Sequence, residues 1–178
     1  MAVGYSDPIG DVTAEWERFP VEGDHHSCID DGVRQPAVPN VDDYIYYAGV
    51  TTRNDDFTMS PLGGVGIASQ IKVWAYGKTY DDGVASADLY IGGSWQRLAP
   101  LGLDALTPSW KSVTYTGGWT QAQLNARIVR LNRNDSGPDG DPFIYAMYQE
   151  VTYTPSSAGG WGWDHFPDGG DQGGFGWN

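Results

Sequence analysis

The sequence is short of cysteine, of basic residues and of long apolar runs, and each shortage excludes a class of protein. Cys28 is the single cysteine, so neither an intramolecular disulfide nor a cysteine-based zinc site can form, and a buried or inert thiol is expected. No stretch approaches the roughly 18 consecutive apolar residues of a transmembrane helix. The first residues also lack the basic and apolar parts of a secretion signal. We therefore expect synthesis in a cytoplasm and no membrane partner.

The negative net charge of the chain makes nucleic acid an unfavourable partner. The chain carries 10 Lys and Arg against 23 Asp and Glu, which gives a formal net charge of -13 at pH 7. An acidic surface of this kind repels nucleic-acid phosphates, so binding of DNA or RNA is not expected.

Helical periodicity is scarce, whereas the residues that favour strands and turns are abundant. Eight Trp, eleven Tyr, 25 Gly and 11 Pro among 178 residues are typical of one domain built from short strands. The clearest strand is 71–76, which has two unlike faces. They are Ile71, Val73 and Ala75 on one side and Lys72, Trp74 and Tyr76 on the other. We expect the aliphatic face to line the core and the aromatic face to be covered by loops, by the C-terminal tail or by a partner.

The succession of such strands predicts an all-β fold, an antiparallel two-sheet β-sandwich with the topology of a jelly roll. Eight or nine strands are expected, at 13–19, 44–47, 57–59, 71–76, 84–91, 95–98, 111–116, 126–131 and 143–153. Segment 71–98 reads as a meander of three neighbouring strands whose second turn is 92–93. A single helical turn is expected after Thr120, its N-cap, with Leu124 turned to the core. Residues 1–12 are then an extended N-terminal arm, 13–155 the sandwich and 156–178 a C-terminal tail.

The tail, residues 156–178, differs in composition from the rest of the chain. It contains no Lys, Arg, Val, Ile or Leu, and it cannot build a core of its own. Its five large aromatic residues are Trp161, Trp163, Phe166, Phe175 and Trp177. Such rings are costly to leave in water, so we expect the tail to dock on the sandwich or on a neighbouring subunit, the alternative being a mobile tail. Together with Trp74 and Tyr76, these rings are the expected partner interface.

The histidines do not form a recognisable metal or catalytic motif. Asp24, His25 and His26 are adjacent, but neighbours on a strand face opposite ways and could share a metal only in a loop. His165 lies apart, in the tail. We expect two solvated loop histidines at 25–26, and the chain has no G-x-S-x-G motif around a serine.

Paired carboxylates occur at 30–31, 42–43, 55–56 and 81–82. All four pairs are expected beside strand ends or turns, where solvated Asp collects. No pair is therefore singled out as the acid and base of a glycosidase. We expect neither an enzyme nor a bound cofactor.

A polar loop at 134–141 leaves calcium open as an alternative to a plain hairpin loop. Asp135, Asp139 and Gly140 match the first, fifth and sixth positions of an EF-hand loop, and Asp141 adds a further carboxylate. Gly137 replaces the ligand at the third position, and Ala146 stands where the bidentate Glu belongs. The candidate calcium ligands are Asp135, Asp139 and Asp141.

Five segments of the sequence together give it a resemblance to a known protein family. They are GDVTAEW at 10–16, DDFTMSPLGGV at 55–65, IKVWAYGK at 71–78, LTPSWKSV at 106–113 and GGWTQAQLN at 117–125. They resemble the β-sandwich minor structural proteins of tailed-bacteriophage virions, over roughly residues 10 to 154. The resemblance implies a jelly-roll-like fold and a place in the virion, reached by assembly after cytoplasmic synthesis.

Two functions of different classes follow from these features. The first is a non-enzymatic capsid decoration or cement subunit, which self-associates and contacts capsid or tail proteins through its arm and tail. The second is a tail or fibre module that binds host surface glycan through aromatic side chains such as Trp74, Tyr76, Tyr90 or Trp95. An enzyme acting on cell-wall sugars is the least favoured reading.

Deletion of residues 156–178 is expected to remove an intermolecular contact, because each fully buried aromatic ring contributes on the order of 2 kcal/mol. The measurement is the amount of truncated protein retained on purified particles, relative to the full-length chain. Equal retention of the two proteins would contradict the docking hypothesis.

Overall fold

Two antiparallel sheets pack face to face in the computed structural model, which describes residues 1–20, 23–48, 52–80, 85–96, 100–133 and 141–156. The strands are β1 (Ala2–Ser6), β2 (Pro8–Ala14), β3 (Glu17–Phe19), β4 (Tyr44–Tyr46), β5 (Asn54–Met59), β6 (Val65–Thr79), β7 (Ala85–Ile91), β8 (Ser94–Gln96), β9 (Ser109–Thr120), β10 (Ile128–Arg133) and β11 (Pro142–Pro155). A short helix, α1 (Gln121–Asn125), and a 3-10 turn (His26–Cys28) accompany them. The all-β sandwich expected from the sequence is confirmed.

The order of the strands is that of a jelly roll. Sheet A has the order β3-β4-β11-β6-β9, with β1 also paired to β11, and sheet B has the order β2-β5-β10-β7-β8. From β4 to β11 the chain changes sheet at every connection except the one between β7 and β8. As a result, β4 lies beside β11 and β5 beside β10, as in the two interlocked Greek keys of a jelly roll.

Residues 1–12, expected as an N-terminal arm, are extended and take part in both sheets. β1 pairs with β11 from Ala2 opposite Tyr153 to Ser6 opposite Gln149, and β2 pairs with β5. This pairing satisfies backbone N–H and C=O groups that a detached arm would leave to water. The first segment of the chain therefore adds one strand to each of the two sheets.

The aliphatic face of β6 lines the core, as the period of two predicts. Ile71, Val73 and Ala75 have no exposed surface. They belong to the same apolar cluster as Leu89 and Val129 of sheet B. Alternation along one strand was thus sufficient to identify the inward side chains.

Two polar side chains reach into this apolar interior. The Tyr115 hydroxyl of β9 donates to the Ala87 carbonyl of β7 and links the two sheets. Burial raises the pKa of Tyr115, so the hydroxyl keeps the proton that it donates. Arg127 is 1% exposed, and its acceptors are Gln149 Oε1, Ser6 Oγ and the Leu124 and Ser60 carbonyls. Burial lowers the pKa of Arg127 to about 10, which leaves the guanidinium charged at neutral pH.

The meander expected at 71–98 is wrong for the connection between its first two strands, which are not neighbours. β6 lies between β9 and β11 in sheet A, whereas β7 and β8 belong to sheet B. β7 and β8 do form a hairpin, and Gly92 and Gly93 supply its turn with φ of 62° and 86°. Alternation tells which side chains of a strand point inward, but it does not tell which strand lies alongside.

The strand expected at 13–19 is two strands that belong to different sheets. β2 ends at Ala14 and β3 begins at Glu17. Between them the backbone N–H groups of Glu15 and Trp16 donate to Asp55 Oδ1 at 2.6 and 2.8 Å, instead of to a neighbouring strand. Trp16 turns inward and is 3% exposed. The buried carboxylate therefore marks the place where the chain crosses from sheet B to sheet A.

The helical turn begins where the sequence predicted it. Thr120 is the N-cap of α1, and Thr120 and Gln123 form a reciprocal capping box. Leu124 is fully buried. In the described ranges, no helix is long and apolar enough to cross a membrane.

Val73→Asp is expected to prevent folding, because it places an unpaired carboxylate in the fully buried core at a cost of several kcal/mol. Trp74→Ala is the matched change at the next position, on the outer face, and should leave a folded protein with a modestly lower melting temperature. Far-UV circular dichroism and thermal unfolding of both variants check this. The opposite ranking, with Val73→Asp tolerated and Trp74→Ala unfolded, would reverse the assignment of the two faces.

Candidate ligand-binding surface

The outer face of sheet A carries aromatic side chains on five neighbouring strands. Across the sheet, Tyr46 pairs with Phe143, Phe143 with Lys78, and Tyr76 with Trp110. Paired residues share a face of the sheet, so these side chains lie next to one another. Tyr76, Trp110 and Phe143 belong to an apolar cluster that is separate from the core between the sheets.

Buried rings occupy the middle of this face, and a loop lies over part of them. Tyr76, Tyr145 and Tyr148 are 8%, 5% and 1% exposed. Trp110 donates its indole N–H to the Ala37 carbonyl at 2.8 Å. We call Tyr76, Trp110, Tyr145 and Tyr148 the covered cluster, and residues 30–43 the cover loop.

Arg34 fastens the cover loop to the covered cluster. Its guanidinium carbon lies 4.6 Å from the centroid of the Tyr148 ring and 5.7 Å from that of Tyr5. Its Nη2 donates to Asp7 Oδ2 at 2.6 Å. A planar guanidinium can stack on a ring and pair with a carboxylate at the same time, which an ammonium cannot do. Burial raises the pKa of the Tyr148 hydroxyl beneath the loop.

The rings at the other end of the same face are open to solvent. Phe19 and Tyr80 are 50% and 44% exposed, whereas Tyr44, Tyr46 and Phe143 are half-buried. Phe19 stacks on Tyr44 with centroids 5.4 Å apart and planes 22° from parallel. Tyr46 stacks on Phe143 at 5.4 Å and 7°, and Tyr80 meets Phe143 edge-on at 5.2 Å. We call these five residues the aromatic platform.

Hydrogen-bonding groups border the aromatic platform at both edges. On β3, Glu17 Oε2 accepts the Tyr46 hydroxyl proton at 2.6 Å, and this hydrogen bond raises the pKa of Tyr46. On β6, the Lys78 ammonium lies 5.1 Å from the Tyr80 centroid and 5.6 Å from the Phe143 centroid. The platform thus has an acceptor at one edge and a donor at the other.

The two sheet residues expected at a partner interface occupy different environments. Trp74 is half-buried and stacks on Tyr148, with centroids 6.1 Å apart and planes 14° from parallel. Tyr76 belongs to the covered cluster. That either residue contacts a partner stays a prediction. Tyr76 is only 8% exposed, so little of its side chain is available for such a contact. Tyr90 and Trp95 lie together in sheet B, so the structure does not join them to Trp74.

The expectation of two solvated loop histidines is wrong for His25. His25 is 5% exposed, and its Nδ1 lies 2.6 Å from Asp55 Oδ2. His26 Nδ1 lies 3.1 Å from Asp11 Oδ1, and Asp11 also accepts the backbone N–H groups of both histidines at 2.7 and 2.8 Å. These contacts fasten the 3-10 turn to β2 and β5. The carboxylates come from two strands remote in sequence, so adjacency at 24–26 did not reveal them.

The pair 55–56 is also not beside the end of a strand. Asp55 and Asp56 lie within β5 and are 0% and 4% exposed. Asp55 accepts backbone N–H groups and contacts His25, and Asp56 forms a bidentate pair with Arg130, both bonds 2.7 Å long. Buried carboxylates are stable where they are paired and hydrogen-bonded in this way.

The calcium candidates and the tail fall mostly outside the described residues. Asp135, Asp139 and the rings of residues 157–178 lie there, whereas Asp141 is described and lies 3.6 Å from Arg133 Nη1. Over the described ranges, no three His, Cys, Asp or Glu side chains are grouped so that they could hold a metal ion. Cys28 is buried, as expected, and burial raises the pKa of its thiol.

Sequence reasoning did not find the aromatic platform. Its five rings come from four separate segments, at 19, 44–46, 80 and 143. The alternation of Tyr44 and Tyr46 around Ile45 was the available signal, because Ile45 is buried and its neighbours must then point outward. The register that joins these rings to Phe143 is set by the jelly-roll pairing of β4 with β11.

Comparisons with known proteins give similarity of fold only. No family model and no curated protein matches the chain. One similar solved structure is a "Family 16 Carbohydrate Binding Module-2", 8% identical, which covers 62% of this chain and 77% of that chain with a TM-score of 0.45. Another is the CBM36-1 domain of a multidomain xylanase from the hindgut metagenome of Trinervitermes trinervoides, 10% identical, covering 86% of this chain and 98% of that chain with a TM-score of 0.49. Similarity at this level transfers no function and no residue role, and neither of these two structures is named as a phage protein.

Arg34→Ala is expected to loosen the cover loop, because it removes both the stacking on Tyr148 and the pairing with Asp7. We expect a loss of stability of about 1–2 kcal/mol and faster hydrogen exchange at the Trp110 indole N–H, which the loop accepts. Arg34→Lys retains the charge but not the planar stacking. Its stability and its indole exchange rate should lie between those of the unaltered protein and those of Arg34→Ala. An indole exchange rate unchanged in Arg34→Ala would mean that other contacts hold the loop.

Proposed function

We propose that this protein is a non-catalytic carbohydrate-binding β-sandwich that holds its ligand on the aromatic platform. The observation that supports this most is the pair of near-parallel ring stacks, Phe19 on Tyr44 and Tyr46 on Phe143, at the partly exposed end of a rigid sheet. Sugar rings present apolar C–H faces and polar hydroxyl edges. A surface of aromatic faces with hydrogen-bonding groups at its margins is complementary to both.

The dimensions and the polar edges of the aromatic platform favour an extended ligand. The platform runs from β3 across β4 and β11 to the end of β6, which at the usual strand spacing is about 14 Å. Glu17 at one edge can accept a hydroxyl proton, and Lys78 at the other can donate to a hydroxyl or ring oxygen. A chain of several sugar units lying across the strands would meet both groups.

A binding function is favoured over catalysis by the surroundings of the buried histidine. His25 lines a cleft of about 300 Å³ beside the platform, together with Trp16, Glu17, Arg18 and Tyr46. Its Nδ1 is held by Asp55, and the described residues of this lining include no serine, threonine or cysteine that could act as a nucleophile. The His25–Asp55 contact also has a structural purpose, because it anchors the 3-10 turn.

Phe19→Ala is expected to weaken polysaccharide binding about tenfold, equivalent to about 1.4 kcal/mol, without changing the fold. The measurement is retardation in native gels that contain soluble xylan, mixed-linkage β-glucan or chitosan, and pull-down on insoluble cellulose and on bacterial cell walls. Tyr5→Ala is the matched control, because Tyr5 is 51% exposed against 50% for Phe19 but lies off the platform.

Two outcomes would contradict the proposal. One is the absence of binding to every glycan of the panel by the unaltered protein. The other is equal loss in Phe19→Ala and Tyr5→Ala, which would place the ligand elsewhere.

The second candidate function is an accessory subunit of a tailed-phage virion, and a different surface favours it. The outward side chains Val3, Tyr5, Ile9 and Val12 of β1 and β2 are each 51–54% exposed. Two of these side chains lie on sheet A and two on sheet B, and exposed apolar side chains on such strands are suited to contact with a capsid or tail protein, or with another copy of the chain. In that case Tyr5→Ala, and not Phe19→Ala, should reduce retention on purified particles.

A further inference from the structure

We propose that the opposite sheet carries a second carbohydrate site, a cleft between the β7–β8 turn and α1 that takes a single neutral sugar unit. The ligand class rests on the proposed function, whereas the location rests on a separate set of residues. The cleft is about 450 Å³ in volume and is lined by Tyr90, Gly92, Gly93, Ala122, Gln123 and Ala126. A volume of this order lies within the roughly 300–1,000 Å³ of small-molecule sites.

The described lining of the cleft is mostly apolar and carries few polar groups, which narrows the class of ligand. Tyr90 supplies one aromatic wall, Ala122 and Ala126 supply small apolar contacts, and Gly92 and Gly93 expose backbone. Among the lining residues that the structure describes, none carries a formal charge. A neutral ligand with an apolar face and hydroxyl groups fits this lining better than an anion or a cation would.

Gln123 places a hydrogen-bond donor in the cleft. Its Oε1 accepts the Thr120 N–H at 3.0 Å in the capping box, which fixes the orientation of the amide group. The other end of the amide, Nε2, lies beside Gly92, where a Cβ would approach it to 3.0 Å. Gly92 has a φ of 62° and no side chain, so the turn can approach the amide nitrogen this closely. The capping interaction therefore also positions a donor for a ligand.

A chain of contacts across sheet B holds the aromatic wall in place. Asp56 binds Arg130 through two hydrogen bonds of 2.7 Å, and the Arg130 guanidinium carbon lies 4.0 Å from the Trp95 ring centroid. Trp95 in turn contacts Tyr90, with centroids 5.3 Å apart and planes at 56°. Asp56 and Arg130 pair across neighbouring strands, and so do Tyr90 and Trp95. A binding residue supported in this way keeps its orientation when no ligand is bound.

The two sites lie on opposite outer faces of the sandwich. The aromatic platform is on sheet A, and the cleft borders sheet B. One protein can therefore hold two glycan segments at once, and binding to a surface that offers many copies is strengthened by the second contact. The cleft thus adds a site for the end or a branch of a glycan to a platform that binds along a glycan chain.

The test is a titration of the full-length, ¹⁵N-labelled protein with D-glucose, D-xylose, D-galactose or N-acetyl-D-glucosamine, followed by two-dimensional NMR. We expect at least one of these sugars to shift the Gly92 and Gly93 backbone amide signals and the Gln123 side-chain amide signal saturably. Gln123→Glu keeps the acceptor of the capping box and removes the donor. This variant should raise the dissociation constant read from the Gly92 and Gly93 shifts at least tenfold. Its melting temperature should be unchanged.

Two further variants separate the cleft from the aromatic platform. Tyr90→Ala should also abolish the shifts at Gly92 and Gly93, whereas Phe19→Ala should leave them unchanged while it weakens polysaccharide binding. No saturable shift with any of the four sugars, or equal shifts in the Gln123→Glu and unaltered proteins, would overturn the second site alone. Cleft shifts without polysaccharide binding would instead overturn the platform and leave the cleft standing.

Discussion

The two unlike faces of β6 are the constraint on which the rest of the molecule depends. Val73 is fully buried between the sheets, and the next residue, Trp74, lies on the other side of the same strand. Because side chains of a strand alternate, burying the aliphatic face directs the aromatic face away from the core. The protein therefore has a second apolar surface on its outside. The cover loop lies over part of it, and the aromatic platform is the part left open.

Buried polar contacts between remote residues set the positions of the loops around this frame. Asp55 binds the backbone where the chain crosses between sheets and also holds His25, and Asp11 holds the turn that follows. Arg34 ties the cover loop to β1 through Tyr5 and to β11 through Tyr148. Each of these polar groups is stabilised by its partners. Removal of one member of such a contact would leave the other desolvated and unpaired. The irregular parts of the chain are thus fixed by a few long-range interactions.

Both proposed sites use rigid strands to present rings. Side chains on paired strands lose little further freedom when a ligand binds, so a moderate number of contacts can be effective. The aromatic platform uses ring stacks across β3, β4 and β11, and the cleft uses a ring held by Trp95 and Arg130. The acidic net charge is compatible with neutral glycans, which it does not repel. The same exposed N-terminal side chains that favour a virion contact lie apart from both sites.

The sequence by itself determined the class of fold, the inward face of β6, the glycine turn at 92–93 and the capped helical turn at Thr120. These features depend on local periodicity and on turn chemistry, which neighbouring residues encode directly. Only the tertiary structure decided that β6 and β7 belong to different sheets, that Asp55 and His25 form a buried pair, and that Phe19, Tyr46 and Phe143 share one surface. These features depend on pairing between strands remote in the chain. The energy that selects one pairing comes from the fit of whole faces, and alternation within a single strand does not contain that information.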